Sequence, residues 1–292
     1  MKTASLAHAY RITDGRKFRL ADRDPADTGP LDSKPTAAAA LKKTLARLDE
    51  LQERLYAQNR WSVLIILQAM DAAGKDSVIE HVMSGLNPQG CEVYSFKTPS
   101  DEELDHDFLW RCACRLPRRG RIGIFNRSYY EETLVVRVHP EIMEREKLPP
   151  ALVGKHLWEE RFDDIRAFER HLARNGTVVL KFFLHVSREE QRDRFLARLE
   201  TRAKNWKFSA ADLAERERWD DYMSAYEETI RATASEAAPW YVVPADHKWF
   251  TRLVVAQALV TRLEEIDPQF PKLPPEELRR LKTARATLQQ QG

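Results

Sequence analysis

The sequence predicts an α/β fold, in which a parallel β-sheet is sandwiched by helices. Short apolar runs rich in β-branched and aromatic residues alternate with longer amphipathic stretches along most of the chain. The apolar runs have the length of strands, and the stretches between them are long enough for crossover helices. Because no internal repeat or clear linker follows residue 35, we predict one domain with added elements.

The composition is that of a large globular protein. Of 292 residues, 43% are hydrophobic and 32% are charged, which excludes a disordered chain. The formal net charge of +2 excludes a general polycation but allows a local basic channel. The longest aliphatic run, Val63 to Leu67, is too short to span a membrane, and the amino terminus has no apolar secretory segment. Cys91, Cys112 and Cys114 form no disulfide framework, so we expect a cytoplasmic protein.

Residues 1–35 are predicted to form an amino-terminal arm. The stretch from Asp22 to Pro30 is full of turn-forming residues, whereas Tyr10 and Phe18 favour an arm that docks on the body. A helix then begins near Asp32, with leucines at spacings of three and four from Leu41 to Leu55. That face suits either an oligomer interface or the chain's own core, and core packing is the simpler interpretation.

The body, residues 36–292, is predicted to contain five strands. They are Val63–Leu67, Cys91–Phe96, Ile122–Phe125, Val178–Val186 and Trp240–Val243. In a parallel sheet the carboxyl ends of the strands share one edge, and ligands bind there. A long, charged, helical stretch at about 188–230 follows the fourth strand, in the position of a kinase lid.

The strongest local motif is Gly74-Lys75, which joins the first of these strands to a helix pattern. This context is typical of a phosphate-binding loop, in which backbone N–H groups face an anion and the lysine adds positive charge. Ala69 replaces the usual first glycine, and Asp76 replaces the hydroxyl residue that binds Mg²⁺. We therefore expect Asp71 to bind the metal. The predicted phosphate contacts are Ala72, Ala73, Gly74, Asp76 and Ser77. The alternative is a plain strand–turn–helix with an exposed lysine.

Polar side chains also follow the third predicted strand. Asn126 stands where related enzyme classes carry an acid near the metal, and Arg127 can clamp a phosphate through two N–H groups. Glu131 or Glu132, one helical turn later, can supply a carboxylate. We therefore expect Asn126 and Glu131 to join Asp71 as metal ligands. A surface ion pair is the alternative role for Arg127.

Basic residues recur in further segments. Lys97 follows the second predicted strand and Arg111 the next helix, where nucleoside monophosphate kinases bind their acceptor phosphate. In the charged stretch the arginines repeat every four residues, so a helix stacks them on one face. A solvated face of ion pairs is the commoner use of such a run. With Lys75 and Arg127, the predicted track for a long polyanion comprises Arg118, Arg119, Arg194, Arg198, Lys204 and Lys207.

Five segments resemble the polyphosphate kinase 2 family, within a stretch from about Tyr10 to about Leu263. They are Gln68–Asp76, Asn87–Gly90, Phe125–Glu131, Lys204–Ser209 and Ala238–Lys248. The resemblance implies a P-loop kinase-like fold with a helical lid, and transfer from inorganic polyphosphate to a nucleotide with Mg²⁺ or Mn²⁺. The loop and the Asn-Arg-Ser-Tyr-Tyr-Glu segment resemble the subgroup that accepts nucleoside mono- and diphosphates. Asn126 stands at a position where other members of the family have Asp.

The resemblance also implies roles by position. Asp71 is a metal ligand and candidate base, Lys75 is the loop lysine, and Arg127 is the arginine of the second motif. Asp246 and Lys248 lie in the last motif, on the nucleotide side. The family forms no phosphohistidine, so we expect the histidines to be structural.

We therefore predict a polyphosphate-dependent nucleotide kinase that moves the terminal phosphoryl group reversibly, in line, to AMP or ADP. The expected partners are polyphosphate and the nucleotides AMP, ADP and ATP or their guanine counterparts, with no nucleic acid and no membrane. The helix with Leu41 to Leu55 and the resemblance favour a homo-oligomer, dimer or tetramer. One alternative is an ATP-dependent nucleotide or small-molecule kinase on the same fold, which the weakened loop motif disfavours. Another is a non-catalytic polyanion- or RNA-binding protein, for which the sequence offers no aromatic-rich motif.

Overall fold

The structure, a computed structural model, describes residues 6–31 and 33–291, apart from the side chain of Lys207. Its centre is a sheet with the strand order β1-β6-β5-β2-β4-β3. The strands are β1 (Arg11–Ile12), β2 (Ser62–Gln68), β3 (Cys91–Ser95), β4 (Ile122–Asn126), β5 (Thr177–His185) and β6 (Trp240–Pro244). Strands β2 to β6 run parallel, and β1 pairs antiparallel with β6.

Helices cover both faces of this sheet. They are α1 (Lys34–Gln58), α2 (Lys75–Val82), α3 (Asp101–Leu104), α4 (Trp110–Ala113), α5 (Glu131–Val138), α6 (Leu157–Arg174), α7 (Arg188–Glu200), α8 (Ala211–Glu217), α9 (Trp219–Thr233), α10 (Lys248–Ile266) and α11 (Pro275–Gln290). Helix α10 packs on α1 and α2, while α5, α6 and α9 pack together. The predicted α/β class is confirmed. None of the described helices has the length and apolar character needed to cross a membrane.

The five predicted strands are all present, and each predicted end lies within one residue of the observed end. Every residue of β2 is buried, as expected for a central strand of a parallel sheet. Strand β1 was not predicted, because two residues carry no periodic pattern. The register places Gln68, Ser95 and Asn126 at the same edge of the sheet. Loops that follow these residues therefore meet at that edge.

Helix α1 buries its leucine face within the chain. Its amino end is capped by Ser33, whose Oγ accepts the backbone N–H of Thr36, while Asp32 lies outside the described residues. Leu48, Leu51 and Leu55 are buried against the core. Core packing, the simpler interpretation of this face, is confirmed.

The amino-terminal segment lies on the body as predicted. Tyr10 and Phe18 are buried, and the Tyr10 ring meets Phe250 of α10 edge-on, with centroids 5.8 Å apart. The Tyr10 hydroxyl donates to Asp27 Oδ2 over 2.7 Å. Strand β1 pairs with β6, so this segment is part of the sheet. The predicted division of the chain at residue 35 stays a prediction.

The predicted lid is built from several elements. Helix α7 leads to a 3₁₀ segment, Arg202–Lys207, and then to α8 and α9. Helix α9 buries Tyr226 and Ile230 and packs on α5 and α6, so it is a core helix. The residues of this stretch that overhang the sheet edge therefore come from α7, the 3₁₀ segment and α8.

Candidate active site

The connection between β2 and α2, residues 69–74, curls around the start of α2. Ala72 (φ +60°) and Gly74 (φ +114°) both adopt left-handed backbone conformations. Gly74 is the N-cap of α2, and a side chain there would be strained, which accounts for the glycine. The turn directs the amino terminus of α2, with its free N–H groups, towards the sheet edge. This is the geometry of an anion site.

Lys75 begins α2 and extends back over the loop. Its Nζ donates to the carbonyl oxygens of Ala69 at 2.8 Å and Met70 at 3.5 Å. Desolvation, together with the nearby Arg127 guanidinium, lowers the pKa of Lys75 to about 8. The ammonium is therefore a desolvated cation whose charged form a bound anion would stabilise.

Arg127 follows β4 and also has a left-handed backbone, with φ +66°. Its guanidinium donates to Asp71 Oδ1 at 2.9 Å and to Glu131 Oε2 at 3.0 Å. Glu131 above all, and then Asp71, raise the pKa of Arg127. Positive φ at non-glycine residues is strained and persists where the surroundings enforce it. Arg127 therefore ties the end of β4 to the loop after β2.

The predicted metal ligands lie close to one another but make other contacts. Asp71 and Glu131 both hold Arg127. Asn126 donates from Nδ2 to Asp76 Oδ1 at 2.8 Å. Among the described residues, no group of three or more His, Cys, Asp or Glu side chains is arranged to hold a metal ion. Oxygen donors for a cation are nevertheless gathered at the mouth of the loop.

These groups line a cleft of about 1070 Å³ at the carboxyl edge of the sheet. Its described lining comprises Asp71, Ala72, Gly74, Lys75, Asp76, Ser77, Ser95, Phe96, Lys97, Thr98, Asn126, Arg127, Arg194, Ala197, Arg198, Lys204, Ser209, Asp212 and Lys248. Seven of these are lysine or arginine and three are aspartate. The cleft is therefore a basic pocket in a chain of almost balanced charge.

Most predicted site residues line this cleft, but several do not. Those that lie elsewhere are Ala73, Arg111, Arg118, Arg119, Glu131 and Asp246, while the side chain of Lys207 lies outside the described residues. Arg111 is buried behind the wall and donates to the Lys97 carbonyl at 2.8 Å. Asp246 accepts the N–H of Ser187 at 2.8 Å and anchors the start of α7. Arg111 and Asp246 therefore support the wall of the cleft from behind and do not line it.

Arg118 and Arg119 were wrongly placed on the polyanion track. They precede β4, and Arg119 donates to the carbonyl of Arg60, which precedes β2, at 2.7 Å. Both residues therefore lie at the amino edge of the sheet. The length of a strand, about 20 Å for seven residues, separates them from the cleft.

Arg194 of α7 is a structural clamp. Its Nη atoms donate to the carbonyls of Ala72, Ala73, Ala245 and Asp246 at 2.6–3.1 Å, and Nε donates to Glu190 at 2.7 Å. All five N–H groups are engaged, so in this conformation none is left to donate to a phosphate. The predicted phosphate role of Arg194 is corrected to holding α7 on the loop.

Two functional candidates were missed from the sequence. Asp212 of α8 faces the cleft, lies 3.8 Å from Arg198, and has its pKa raised by burial and by Asp71. Ser209-x-x-Asp212 resembles a helix-capping pattern, which was a signal for its position. Arg252 of α10 donates to Ser77 Oγ at 2.7 Å, and the sequence alone does not reveal that contact.

The histidines take structural positions. His81 Nδ1 lies 2.9 Å from the Ser77 carbonyl, His139 bridges Glu141 and Glu215, and His247 stacks on Trp249. None of them lines the cleft among the described residues.

The chain matches the family model described as polyphosphate kinase 2 over residues 32–271. It is 53% identical over 268 residues to an ADP-polyphosphate phosphotransferase of Rhodopseudomonas palustris, covering 91% of this chain and 92% of the relative. It is 46% identical over 264 residues to an AMP/ADP-polyphosphate phosphotransferase of Meiothermus ruber, covering 90% and 95%.

A solved structure agrees with these sequence relatives. The crystal structure of polyphosphate kinase 2 from Arthrobacter aurescens TC1 is similar with a TM-score of 0.85 and 40% identity, covering 95% of this chain and 96% of that one. The match to the family model, the identities and the shared fold extend over the whole cleft. The chain therefore belongs to the polyphosphate kinase 2 family.

Proposed function

We propose that this chain transfers the terminal phosphoryl group of inorganic polyphosphate to AMP and ADP. The names of its relatives, an ADP- and an AMP/ADP-polyphosphate phosphotransferase, support both acceptors. The observation that carries the proposal is the basic cleft around the loop between β2 and α2. A ligand with many phosphates requires more cations than one nucleotide does.

The cations of the cleft come from separate elements. Lys75 and Arg127 stand at the loop, Lys97 follows β3, and Lys204 and Lys248 come from the 3₁₀ segment and α10. Burial, and then Arg194 nearby, lower the pKa of Lys248. Such crowding of like charges is unfavourable unless an anion lies among them. The cations therefore form a track that leads to the loop.

At the loop, Lys75 and Arg127 neutralise charge on the transferring group. A terminal phosphate oxygen of the nucleotide forms a bond to the end phosphorus of the polymer. The bond from that phosphorus to the next bridging oxygen breaks, and the chain leaves one phosphate shorter. Because the attacking oxygen is already anionic at neutral pH, positioning and charge neutralisation supply most of the rate.

The donors in the cleft fit Mg²⁺ or Mn²⁺. Hard divalent cations prefer carboxylate and amide oxygens, and Asp71, Asp76 and Asn126 present these at the loop. A bound cation would neutralise charge on the phosphate oxygens. Asp71 also holds Arg127, so the same carboxylate serves the cation and the guanidinium.

We also propose where the nucleotide binds, how the chain assembles and where it acts. Lys97 and Thr98 follow β3 and line the cleft, and we propose that the nucleotide, with an adenine or a guanine base, binds beside them. We further propose a homo-oligomer, dimer or tetramer, and a cytoplasmic location, in keeping with three free cysteines.

The test is a donor comparison with purified protein. Long-chain polyphosphate with ADP, and ATP with AMP, are offered separately, each with Mg²⁺ and with a chelator. We expect nucleotide formation from polyphosphate, lost on chelation and restored by Mg²⁺ or Mn²⁺. Transfer from ATP alone would instead identify a conventional kinase. Salt-sensitive binding of polyphosphate or RNA without transfer would identify a non-catalytic binding protein.

A further inference from the structure

A buried ion pair contacts the segment that follows Arg127. Lys181, in the central strand β5, has no exposed surface, and Glu169 of α6 is 2% exposed. Lys181 Nζ donates to Glu169 Oε2 at 2.7 Å. No residue of this pair lines the cleft among the described residues.

The pair holds the two tyrosines that follow Arg127. The hydroxyls of Tyr129 and Tyr130 both donate to Glu169 Oε1, at 2.9 and 2.7 Å. Lys181 also donates to the Tyr130 hydroxyl at 3.0 Å. Burial raises the pKa of both tyrosines well above its ordinary value, so both phenols remain donors. One carboxylate thus fixes two consecutive side chains.

This anchorage constrains Arg127 from its carboxyl side. On its amino side the backbone N–H of Arg127 donates to the Leu67 carbonyl at 3.0 Å. Tyr130 is directly followed by Glu131, the residue that holds the Arg127 guanidinium. The strained left-handed backbone of Arg127 is therefore enforced from both sides.

Stability alone is a weak reason for such a pair. A buried ion pair can often be replaced by apolar residues of similar volume without loss of stability. We propose that Glu169 and Lys181 are positioning residues, which hold Arg127 in its working geometry through the phenols of Tyr129 and Tyr130. The inference rests on the proposed catalytic role of Arg127.

Two double variants separate positioning from stability. Glu169→Leu with Lys181→Met removes both charges and the acceptor for the phenols. Glu169→Gln with Lys181→Met removes the charges but keeps a carbonyl oxygen that accepts both phenols. Neither variant leaves an unpaired buried charge, although both remove the Lys181 ammonium that donates to the Thr233 carbonyl at 2.8 Å. Thermal unfolding will show whether each variant folds. If the leucine variant does not fold, the double variant Tyr129→Phe with Tyr130→Phe takes its place, because it removes only the two hydroxyls that donate to Glu169.

The leucine variant should lower kcat at least about tenfold, with KM for both substrates changed by less than about threefold. The glutamine variant should restore kcat to within about threefold of wild type. When Arg127→Ala is added to both variants, the kcat of the leucine variant and that of the glutamine variant should differ by less than about twofold, because the pair acts through Arg127. The inference would be overturned if the leucine variant lost as much kcat with Arg127→Ala as without it. It would also be overturned if the glutamine variant did not recover the wild-type kcat.

Hydrogen exchange at residues 126–131 gives a readout that does not depend on the phosphoryl donor. Exchange there should rise in the leucine variant and stay near the wild-type rate in the glutamine variant. Unchanged exchange in the leucine variant would overturn the inference even if transfer from polyphosphate occurs. Failure of wild-type transfer with the expected exchange would count against the proposed function instead.

Discussion

Two cations at the mouth of the loop are held in different ways. Arg127 is paired with Asp71 and Glu131, whereas Lys75 reaches backbone carbonyls of its own loop. The paired guanidinium has a fixed position and a permanent charge. The lysine is desolvated, and its charge depends on what binds beside it. We therefore propose that Arg127 orients the bound phosphate, while the charge of Lys75 responds to it.

Removal of either cation should abolish most of the activity. Lys75→Ala and Arg127→Ala should each lower kcat at least about 100-fold, because charge on the transferring group would lose a preorganised partner in a partly dry site. The measurement is the initial rate of ATP formation at saturating polyphosphate and ADP.

Arg118→Ala is the matched control, since Arg118 is exposed at the opposite edge of the sheet. It should keep kcat within about twofold of wild type. Near-normal rates in both cleft variants, with unchanged circular dichroism, would refute the site.

The pH profile reports on Lys75 directly. Its pKa is lowered to about 8, so kcat/KM should fall as the pH rises through about 8 and the ammonium loses its proton. Bound polyphosphate should raise that pKa, so kcat should persist to higher pH than kcat/KM. Lys75→Arg keeps its charge and should remove the fall, at a lower rate. A level wild-type kcat/KM between about pH 7 and 9.5 would contradict this assignment.

Sequence reasoning placed residues well where a strand precedes them. Lys75, Lys97 and Arg127 follow strands, and a parallel sheet brings strand ends together. Arg118 and Arg119 precede a strand, a signal for the amino edge that was overlooked. Arg194 fits its helical spacing, but spacing cannot show that its guanidinium turns inward to carbonyls.

At the scale of elements, α7 is fastened to the loop by two side chains. Arg194 donates to carbonyls of the loop and of the β6–α10 connection, and Gln191 Nε2 donates to the Asp71 carbonyl at 2.9 Å. The start of the predicted lid is thus fixed in this structure. Movement, if the lid closes on substrate, would fall to the 3₁₀ segment and α8.

Loss of this clamp should destabilise the fold. Arg194→Ala leaves buried carbonyls without donors and should cost about 2–4 kcal/mol, or at least about 4 °C in Tm. Differential scanning calorimetry measures it. Arg192→Ala, an exposed arginine on the same helix, should leave Tm within about 1 °C. An unchanged Tm in Arg194→Ala, together with a raised KM for polyphosphate, would return Arg194 to the polyanion track.

Strand ends were predictable to within one residue because each buried strand is a run of mostly aliphatic and aromatic residues. The 188–230 stretch was harder to predict. Its charge suggested a solvated lid throughout, yet α9 contributes Tyr226 and Ile230 to the core. Composition alone did not separate the amphipathic core helix from the polar helices before it.

Across the whole molecule the net charge is small, and positive charge is concentrated in the cleft. The chain carries a formal +2, while the cleft gathers seven basic residues against three aspartates among the described residues. Glu131 and Glu190, which lie beside the cleft, are paired with Arg127 and Arg194. Such a distribution attracts a polyanion to the cleft without non-specific binding over the whole surface.

Salt should therefore weaken polyphosphate use more than nucleotide use. Between about 50 and 200 mM salt, KM for long-chain polyphosphate should rise at least about tenfold as counterion release is lost. Lys204→Ala and Lys248→Ala should each reduce the logarithmic slope by about one, and Arg118→Ala should not. A slope that is the same in all three variants would show that the track lies elsewhere.

We propose above all that this cleft moves phosphoryl groups from polyphosphate to nucleotides. The most direct measurement is a time course of nucleotide products with AMP as acceptor, long-chain polyphosphate as sole donor, and Mg²⁺. We expect ADP first and ATP after it, with both formed at least about 100-fold more slowly by Lys75→Ala. If the wild-type protein forms no product with either AMP or ADP, this cleft does not transfer phosphoryl groups from polyphosphate.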